Sequence, residues 1–137
     1  MKYIGPDFCN ITTLLSDEEL LIQKTANEFV AKEFLPIVNE YYEKGSFPTE
    51  LISKMGELGF FGATLPKKYG GSEISSTAYG LIMQELEKGD SGLRSVCSVQ
   101  GGLVMYPIFE YGSQEQKDKW LSKLASGQAV GLSLIHI

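Results

Sequence analysis

Arg94 and a row of small side chains beside it are the residues whose types and spacing best suit chemistry. Four small residues follow the i, i+4, i+7, i+11 spacing that stacks side chains on one helical face, namely Ser91, Ser95, Ser98 and Gly102. Small side chains would leave a shallow groove. A guanidinium is permanently charged and offers a planar fork of donors that matches a carboxylate. The pattern therefore predicts a groove for a slender ligand that ends in an acid.

The same residues have an ordinary structural explanation. Small stripes let two helices approach closely, and Asp90, four residues before Arg94, could form a weak surface ion pair with it. On spacing alone this explanation is favoured. Glu87 also has two interpretations. It could turn toward Arg94 and orient the fork for a ligand, or it could face solvent at a helix end.

Other catalytic arrangements have little support in the residues. Histidine is the commonest general base, and the one histidine, His136, stands at the extreme C-terminus. Acidic residues are scattered along predicted helices, as they would be on solvated faces, which argues against a metal site. Glu85 and Glu87, two positions apart on one helix, would point in different directions and would not pair as acid and base. Neither GxGxxG nor GxxxxGK[ST] is present.

Length and composition describe one ordinary domain. The 137 residues suffice for a sizeable core, and 43% hydrophobic with 21% charged residues is typical of soluble proteins. A net charge of −5 with no basic cluster beyond Lys67-Lys68 argues against a nucleic-acid partner, and no apolar run is long enough to span a membrane. Cys9 and Cys97 form no CxxC pair, and the N-terminus resembles neither a signal nor a transit peptide. We therefore expect a cytoplasmic location.

Periodicity predicts about six helices and no clear strand pairs, hence an all-α bundle. Capping boxes open the first and last helices, at Ser16 with Glu19 and at Ser113 with Gln116. Prolines and glycines should set the other helix boundaries. They are expected to split the first helix and to end the second, third and last helices. These breakers are Pro36, Gly45, Gly59 and Gly127.

The helix that carries Arg94 should begin at Asp90 or Ser91, after Gly89 ends the preceding helix capped by residues 75–77. Pro107 is expected to kink it or end it late. Methionine and aromatic side chains along the helices, Trp120 included, are assigned to the core, where such residues usually lie. The predicted core-facing row of the Arg94 helix is Leu93, Cys97, Val104 and Ile108.

Three segments together resemble the N-terminal helical domain of acyl-CoA dehydrogenases. They are LISKMGELGFFGATLPKKYGG, AYGLIMQELEKGDSGLRSVCSVQGGLVMYPI and YGSQEQKDKWLSKLASGQAVG. The family pattern of a helix ending in ELG, a YGG loop and a GSxEQKxKxLxxLAxG segment is present from Leu51 to Gly127. The resemblance implies an extension at 1–14, the helical domain at 15–127 and the start of a middle β-domain at 128–131.

Within the family, ELEKGDSGLRSVCSVQGGLVMYPI is most similar to the glutaryl-CoA branch. In that branch an Arg-Ser pair contacts the substrate and the arginine meets its distal carboxylate, which implies these roles for Arg94 and Ser95. Ser98 lies on the same stripe, and Glu87 matches a family glutamate near that pocket. The resemblance thus reverses the preference for an ordinary surface pair.

The activity implied for the full-length protein is FAD-dependent oxidation and decarboxylation of glutaryl-CoA to crotonyl-CoA and carbon dioxide. The family's glutamate base lies in a C-terminal domain, and most FAD contacts lie there and in the middle domain. No catalytic residue is therefore expected in this chain, which alone should be inactive. The implied partners are an acyl-CoA thioester, an electron acceptor such as an electron-transfer flavoprotein, and further copies in a homotetramer. The compartment would be the bacterial cytoplasm, or the mitochondrial matrix in a eukaryote.

Two other functions stay open. One is an acyl-CoA dehydrogenase for neutral short or branched chains, although Arg94 would then be a costly uncompensated cation. The other is a non-enzymatic helical interaction module.

After Gly131 the family continues with a strand and a Thr-Glu-Pro motif, whereas this chain reads LSLIHI. That hexapeptide resembles the translation of a transposase adapter used in sequencing libraries, so we expect residues 132–137 to be non-native.

Overall fold

A computed structural model describes residues 8–132, and within that range the chain is all-α, as predicted. Two π-helical stretches, Val30–Phe34 and Val99–Met105, each continue an α-helix without a break, so the α- and π-helical residues of the described range form six continuous helices. Most of the expected non-native tail, with His136, and residues 1–7 of the N-terminal extension lie outside the described residues. The α-helices are α1 (Asp17–Phe29), α2 (Val38–Lys44), α3 (Glu50–Glu57), α4 (Ser76–Gly89), α5 (Ser91–Ser98), α6 (Tyr106–Tyr111) and α7 (Gln114–Ala125).

The capping box predicted at the start of α1 also connects α1 to α4. The main-chain N–H of Ser16 donates to the Glu19 carboxylate at 3.0 Å, and the Glu19 N–H donates back to Ser16 Oγ at 3.3 Å. Ser75, which caps α4, donates its hydroxyl to the other Glu19 oxygen at 2.8 Å. The Ser16 N–H, then the Ser75 hydroxyl, lower the pKa of Glu19. One carboxylate therefore joins the first turns of both helices.

Pro36 and Gly45 bound the second helix as predicted. Pro36 lies in the turn between the first π-helical stretch and α2, where its missing N–H breaks the helical ladder. Gly45 ends α2 with φ of 61°, a left-handed conformation that glycine adopts without a steric penalty. Local proline and glycine residues thus decide where this helix starts and stops.

The core lies between α1, α4, α5 and α7, with the segment after α3 closing one side. Phe29 and Phe60 meet edge to face with ring centroids 5.7 Å apart, a favourable geometry for an aromatic pair. This packing positions α4 and α5, the two helices that carry the predicted site. The most deeply buried large side chains include Met55, Leu86, Leu93, Met105 and Leu121.

The buried row of the Arg94 helix departs from the prediction beyond Cys97. The next fully buried residues are Gln100 and Met105, whereas Val104 and Ile108 are only half-buried. A π-helix holds more residues per turn than an α-helix, so each later side chain is rotated and Met105 takes the place expected for Val104. The α-helical spacing used for the prediction does not apply across this segment.

Two further predictions about burial are wrong. Glu85 was expected on a solvated face, yet it is only 2% exposed, because polar side chains of α1 meet it there. Not all aromatic residues are in the core, since Tyr42, Tyr111 and Trp120 lie exposed. Such side chains have an apolar body and a polar tip, which lets them rest on the surface.

The two cysteines should differ sharply in reactivity. Cys97 is fully buried, its thiol donates to the Phe60 carbonyl at 3.4 Å, and burial raises its pKa to about 12. Cys9 is exposed. Because the thiolate is the reactive form, we expect a disulfide reagent at pH 8 to label Cys9 alone in the native protein and both cysteines in denaturant. Peptide mass spectrometry checks this, and rapid native labelling of Cys97 would contradict it.

Candidate functional site

The candidate site lies where α4 passes into α5. α4 ends at Gly89, and Asp90 is the N-cap of α5. The Asp90 carboxylate accepts hydrogen bonds from the N–H groups of Gly92 at 2.7 Å and Leu93 at 3.2 Å. Asp90 is thus occupied as a helix cap. The ordinary Asp90–Arg94 surface pair that the spacing allows is therefore not formed.

Arg94 is held instead by Glu87 and Ser98. Its Nε donates to Glu87 Oε2 at 2.7 Å, and its Nη1 donates to Ser98 Oγ at 3.1 Å. Ser91 donates its hydroxyl to the second Glu87 oxygen at 2.7 Å. The Arg94 hydrogen bond, followed by that of Ser91, lowers the pKa of Glu87, so this carboxylate stays charged at neutral pH. The Ser98 hydroxyl in turn donates to the Ser95 carbonyl at 3.2 Å.

The guanidinium keeps donors for a ligand. The Nε hydrogen and one Nη1 hydrogen are engaged, which leaves the other N–H groups of Nη1 and Nη2. The Arg94 side chain is 36% exposed, so these groups are accessible from the surface. Within the described residues, the Ser95 hydroxyl has no protein partner. The arrangement suits a planar anion that can accept two parallel hydrogen bonds, such as a carboxylate.

The small side chains shape the surface next to Arg94. Apart from its own stretch of helix, no atom lies within 4 Å of the position that a Cβ on Gly102 would occupy, so this position is open. A Cβ on Gly101 would stand 2.8 Å from the Phe61 carbonyl, so the helix backbone there lies close against its neighbour. Leu103 and Tyr106, 55% and 51% exposed, add apolar surface beyond the glycines. Small side chains and exposed apolar side chains thus lie near Arg94 along the same continuous helix.

Tyr79 borders the site, although the sequence analysis assigned the aromatic side chains along the helices to the core. It is half-buried, and burial, then Cys97, raise the pKa of its hydroxyl while the charge of Arg94 opposes the shift. Its oxygen lies 3.8 Å from the position of a Cβ on Gly101. Its spacing of eight residues from Glu87 lies outside the i, i+3, i+4, i+7 pattern of one helical face, so no sequence signal pointed to it.

Glu85 and Glu87 point in different directions, as predicted. The Glu85 carboxylate accepts hydrogen bonds from Gln23 Nε2 at 3.0 Å, Asn27 Nδ2 at 2.9 Å and Lys88 Nζ at 2.6 Å. These contacts join α4 to α1 rather than line the groove. Glu85 therefore acts as a buried structural anchor, and only Glu87 contacts Arg94.

A separate cavity of about 540 Å³ lies between α1 and α3. Its wall carries both acidic and basic side chains, and Lys54 forms an ion pair with Glu33 there. Lys32 is likewise paired with Glu28. We place the candidate site at Arg94, whose guanidinium keeps N–H groups for a ligand. The cavity is lined by Leu21, Lys24, Thr25, Glu28, Phe29, Lys32, Glu33, Lys54, Glu57 and Leu58.

The described residues offer neither a metal site nor a membrane-spanning helix. Among residues 8–132, no group of three or more His, Cys, Asp or Glu side chains is placed to hold a metal ion. In the same range, no helix is long and apolar enough to cross a membrane.

Residues 16–128 match the family model described as acyl-CoA dehydrogenase, N-terminal domain. The chain is 30% identical over 117 residues to the mitochondrial short-chain specific acyl-CoA dehydrogenase of Bos taurus, which covers 85% of this chain and 28% of that protein. It is similar to the crystal structure of glutaryl-CoA dehydrogenase from Mycobacterium smegmatis, with 46% identity, a TM-score of 0.86, and coverage of 90% of this chain and 32% of that one. A glutaryl-CoA dehydrogenase from the same organism in complex with FADH2 shares 41% identity with a TM-score of 0.87 over the same shares. The chain spans less than a third of these relatives. It belongs to the acyl-CoA dehydrogenase family.

Proposed function

We propose that this chain forms one wall of the acyl pocket of a flavin-dependent dehydrogenase that oxidises and decarboxylates glutaryl-CoA. The observation that carries the proposal is Arg94, held by Glu87 and Ser98 with its remaining donors on an open, small-sided face. A cation at this position suits a substrate with an acid at its far end. The similarity to glutaryl-CoA dehydrogenases at 46% and 41% identity supports the same choice.

The second candidate is an acyl-CoA dehydrogenase for a neutral short chain. The 30% identity to a short-chain specific enzyme favours it. An apolar acyl tail would give the free N–H groups of Arg94 no partner, and leaving a charged group desolvated and unpaired is unfavourable. Glu87 already offsets the charge of Arg94, which lowers this cost.

The proposed reaction sets a specific demand on Arg94. A proton leaves Cα of glutaryl-CoA and a hydride leaves Cβ, and the distal carboxylate then departs as carbon dioxide. Its bonding electron pair stays on the acyl chain, which takes up a proton to give crotonyl-CoA. A bound flavin would supply the acceptor for the hydride. Arg94 would hold the distal carboxylate in register for the first step and must then release a neutral product.

Glu87, Ser95 and Ser98 would adjust how strongly, and in which orientation, Arg94 binds the substrate carboxylate. Glu87 shares the guanidinium charge through Nε, so the attraction for the substrate carboxylate is moderated. Ser98 fixes Nη1 and so limits rotation of the planar fork. Ser95, whose hydroxyl has no protein partner in the described range, can donate to the same substrate carboxylate. The base that removes the α-proton is not assigned to this chain.

The proposal includes FAD because the family to which the chain belongs implies a flavin cofactor. The described residues fit the substrate side of a pocket: Leu103 and Tyr106 offer exposed apolar surface beside Gly102, which an aromatic ring or another domain could cover. Arg94 is the one arginine of the chain and is engaged by Glu87, so we assign no flavin phosphate to it. An electron-transfer flavoprotein as acceptor, a homotetramer and a cytoplasmic or matrix location rest on the family alone.

The experiment that tests the function uses the full-length protein carrying this chain. We expect a yellow protein that converts glutaryl-CoA to crotonyl-CoA and releases one carbon dioxide per turnover, measured by flavin absorbance and product analysis. Oxidation of butyryl-CoA without carbon dioxide release from glutaryl-CoA would favour the short-chain candidate. A colourless protein inactive on both thioesters even after FAD is added would favour an interaction module.

A further inference from the structure

Gln100 is fully buried and takes no part in the proposed pocket. It is 1% exposed and lies in the π-helical segment two residues after Ser98. Its Nε2 donates to the Leu124 carbonyl at 2.9 Å and to the Ala129 carbonyl at 2.7 Å, and its Oε1 accepts from the Gly131 N–H at 3.0 Å. A long amide is buried at such a place when its polar atoms are satisfied. All of its partners are main-chain groups at the end of α7 or just beyond it.

The two hydrogen bonds beyond α7 have the pattern of a β-ladder. In a parallel pair, one residue bonds to the carbonyl before and the N–H after the residue opposite it. The Gln100 amide bonds in this way to Ala129 and Gly131, on either side of Val130. The side chain therefore bonds to residues 129–131 as a short neighbouring strand would.

Val104, one helical turn after Gln100, contacts the same segment. A Cβ on Gly131 would stand 2.5 Å from Val104 Cγ1, so the backbone of Gly131 rests on Val104 without room for a side chain. Gln100 and Val104 both belong to the segment that continues the Arg94 helix. The path of the chain after α7 is thus attached to the helix that carries the candidate site.

We infer that Gln100 is a positioning residue that sets the direction of the chain beyond α7 relative to Arg94. The inference rests on the proposed function, in which residues 128–131 lead into the next domain of the enzyme. The wider turn of the π-helical segment lets Gln100 reach the chain beyond α7 while Ser98 stays on the Arg94 face. Loss of the Gln100 contacts would shift the whole pocket wall and leave the Arg94 fork itself unchanged.

The test is Gln100→Glu in the full-length protein. The substitution keeps the shape but sets an oxygen against the carbonyls of Leu124 and Ala129. We expect kcat for glutaryl-CoA and butyryl-CoA to fall in parallel by about tenfold or more, with the preference between them unchanged within about twofold. The Gly131 N–H should exchange faster with deuterium. Gln128→Glu, an exposed change in the same segment, should alter neither quantity.

A second pair of variants covers the case in which Gln100→Glu does not fold. Gly131→Ala should displace the segment from Val104 and lower kcat on both substrates, and adding Val104→Ala should restore most of it because the clashing methyl groups are gone. A purely structural role would lower the melting temperature and leave kcat within twofold, and that result would overturn the inference. If the unaltered protein oxidises no acyl-CoA, the proposed function fails, while Gly131 exchange still reports on the Gln100 contacts.

Discussion

Replacing Arg94 with methionine in the full-length protein is expected to lower kcat/KM for glutaryl-CoA by about a hundredfold or more. Oxidation of butyryl-CoA should change by only a few-fold. The reason is that two charge-assisted hydrogen bonds to a carboxylate contribute roughly 3–5 kcal/mol when both are made. Methionine keeps much of the length of the side chain but removes the charge and the donors. Steady-state kinetics on both thioesters measures the difference.

Two companion variants separate charge from geometry at this site. Arg94→Lys keeps the charge without the planar fork, so its loss on glutaryl-CoA should lie between those of the unaltered protein and Arg94→Met. Glu87→Gln removes the charge that moderates the attraction of Arg94 for a carboxylate, but it also weakens the 2.7 Å hydrogen bond that orients the fork, so a loss smaller than that of Arg94→Met is expected. Equal losses on glutaryl-CoA and butyryl-CoA for Arg94→Met would count against a carboxylate-binding role.

Replacing Glu85 with alanine is expected to lower the free energy of unfolding by about 2–3 kcal/mol. The change leaves the amide donors of Gln23 and Asn27 at the α1–α4 contact without their acceptor, and it removes the partner of Lys88. Lys88 can turn to solvent, since its side chain is 34% exposed, so most of the loss comes from the two amides. Urea denaturation with hydrogen exchange in α1 and α4 measures the effect.

The matched control for this prediction is Gln84→Ala. Gln84 is the exposed neighbour of Glu85 on the same helix, and its truncation should change stability by less than about 0.5 kcal/mol. Glu85→Gln is a second comparison, because it keeps the shape and one acceptor oxygen. Similar stabilities for Glu85→Ala and Gln84→Ala would show that the buried cluster does not join the helices energetically.

Helix boundaries were predictable because their causes are local. The Ser16 and Ser113 caps, the Pro36 break and the Gly45 end all act through hydrogen bonds or dihedral angles within a few residues. The burial of Glu85 and Gln100 was not predictable in this way. Apart from Lys88, which is three residues from Glu85, their partners lie 24 to 62 residues away along the chain, and no local pattern records them.

The candidate site, too, was only partly predictable from local sequence patterns. From the sequence alone came the all-α class, the stripe of small residues beside Arg94 and, through the resemblance, the family. Spacing left open whether Arg94 pairs with Asp90 or with Glu87, because both lie within reach along the chain. The tertiary structure decided it: Asp90 caps α5, and the α4–α5 junction brings Glu87 to the guanidinium. Only three-dimensional packing could also shift the buried row from Val104 to Met105, since the π-helical turn changes the helical period itself.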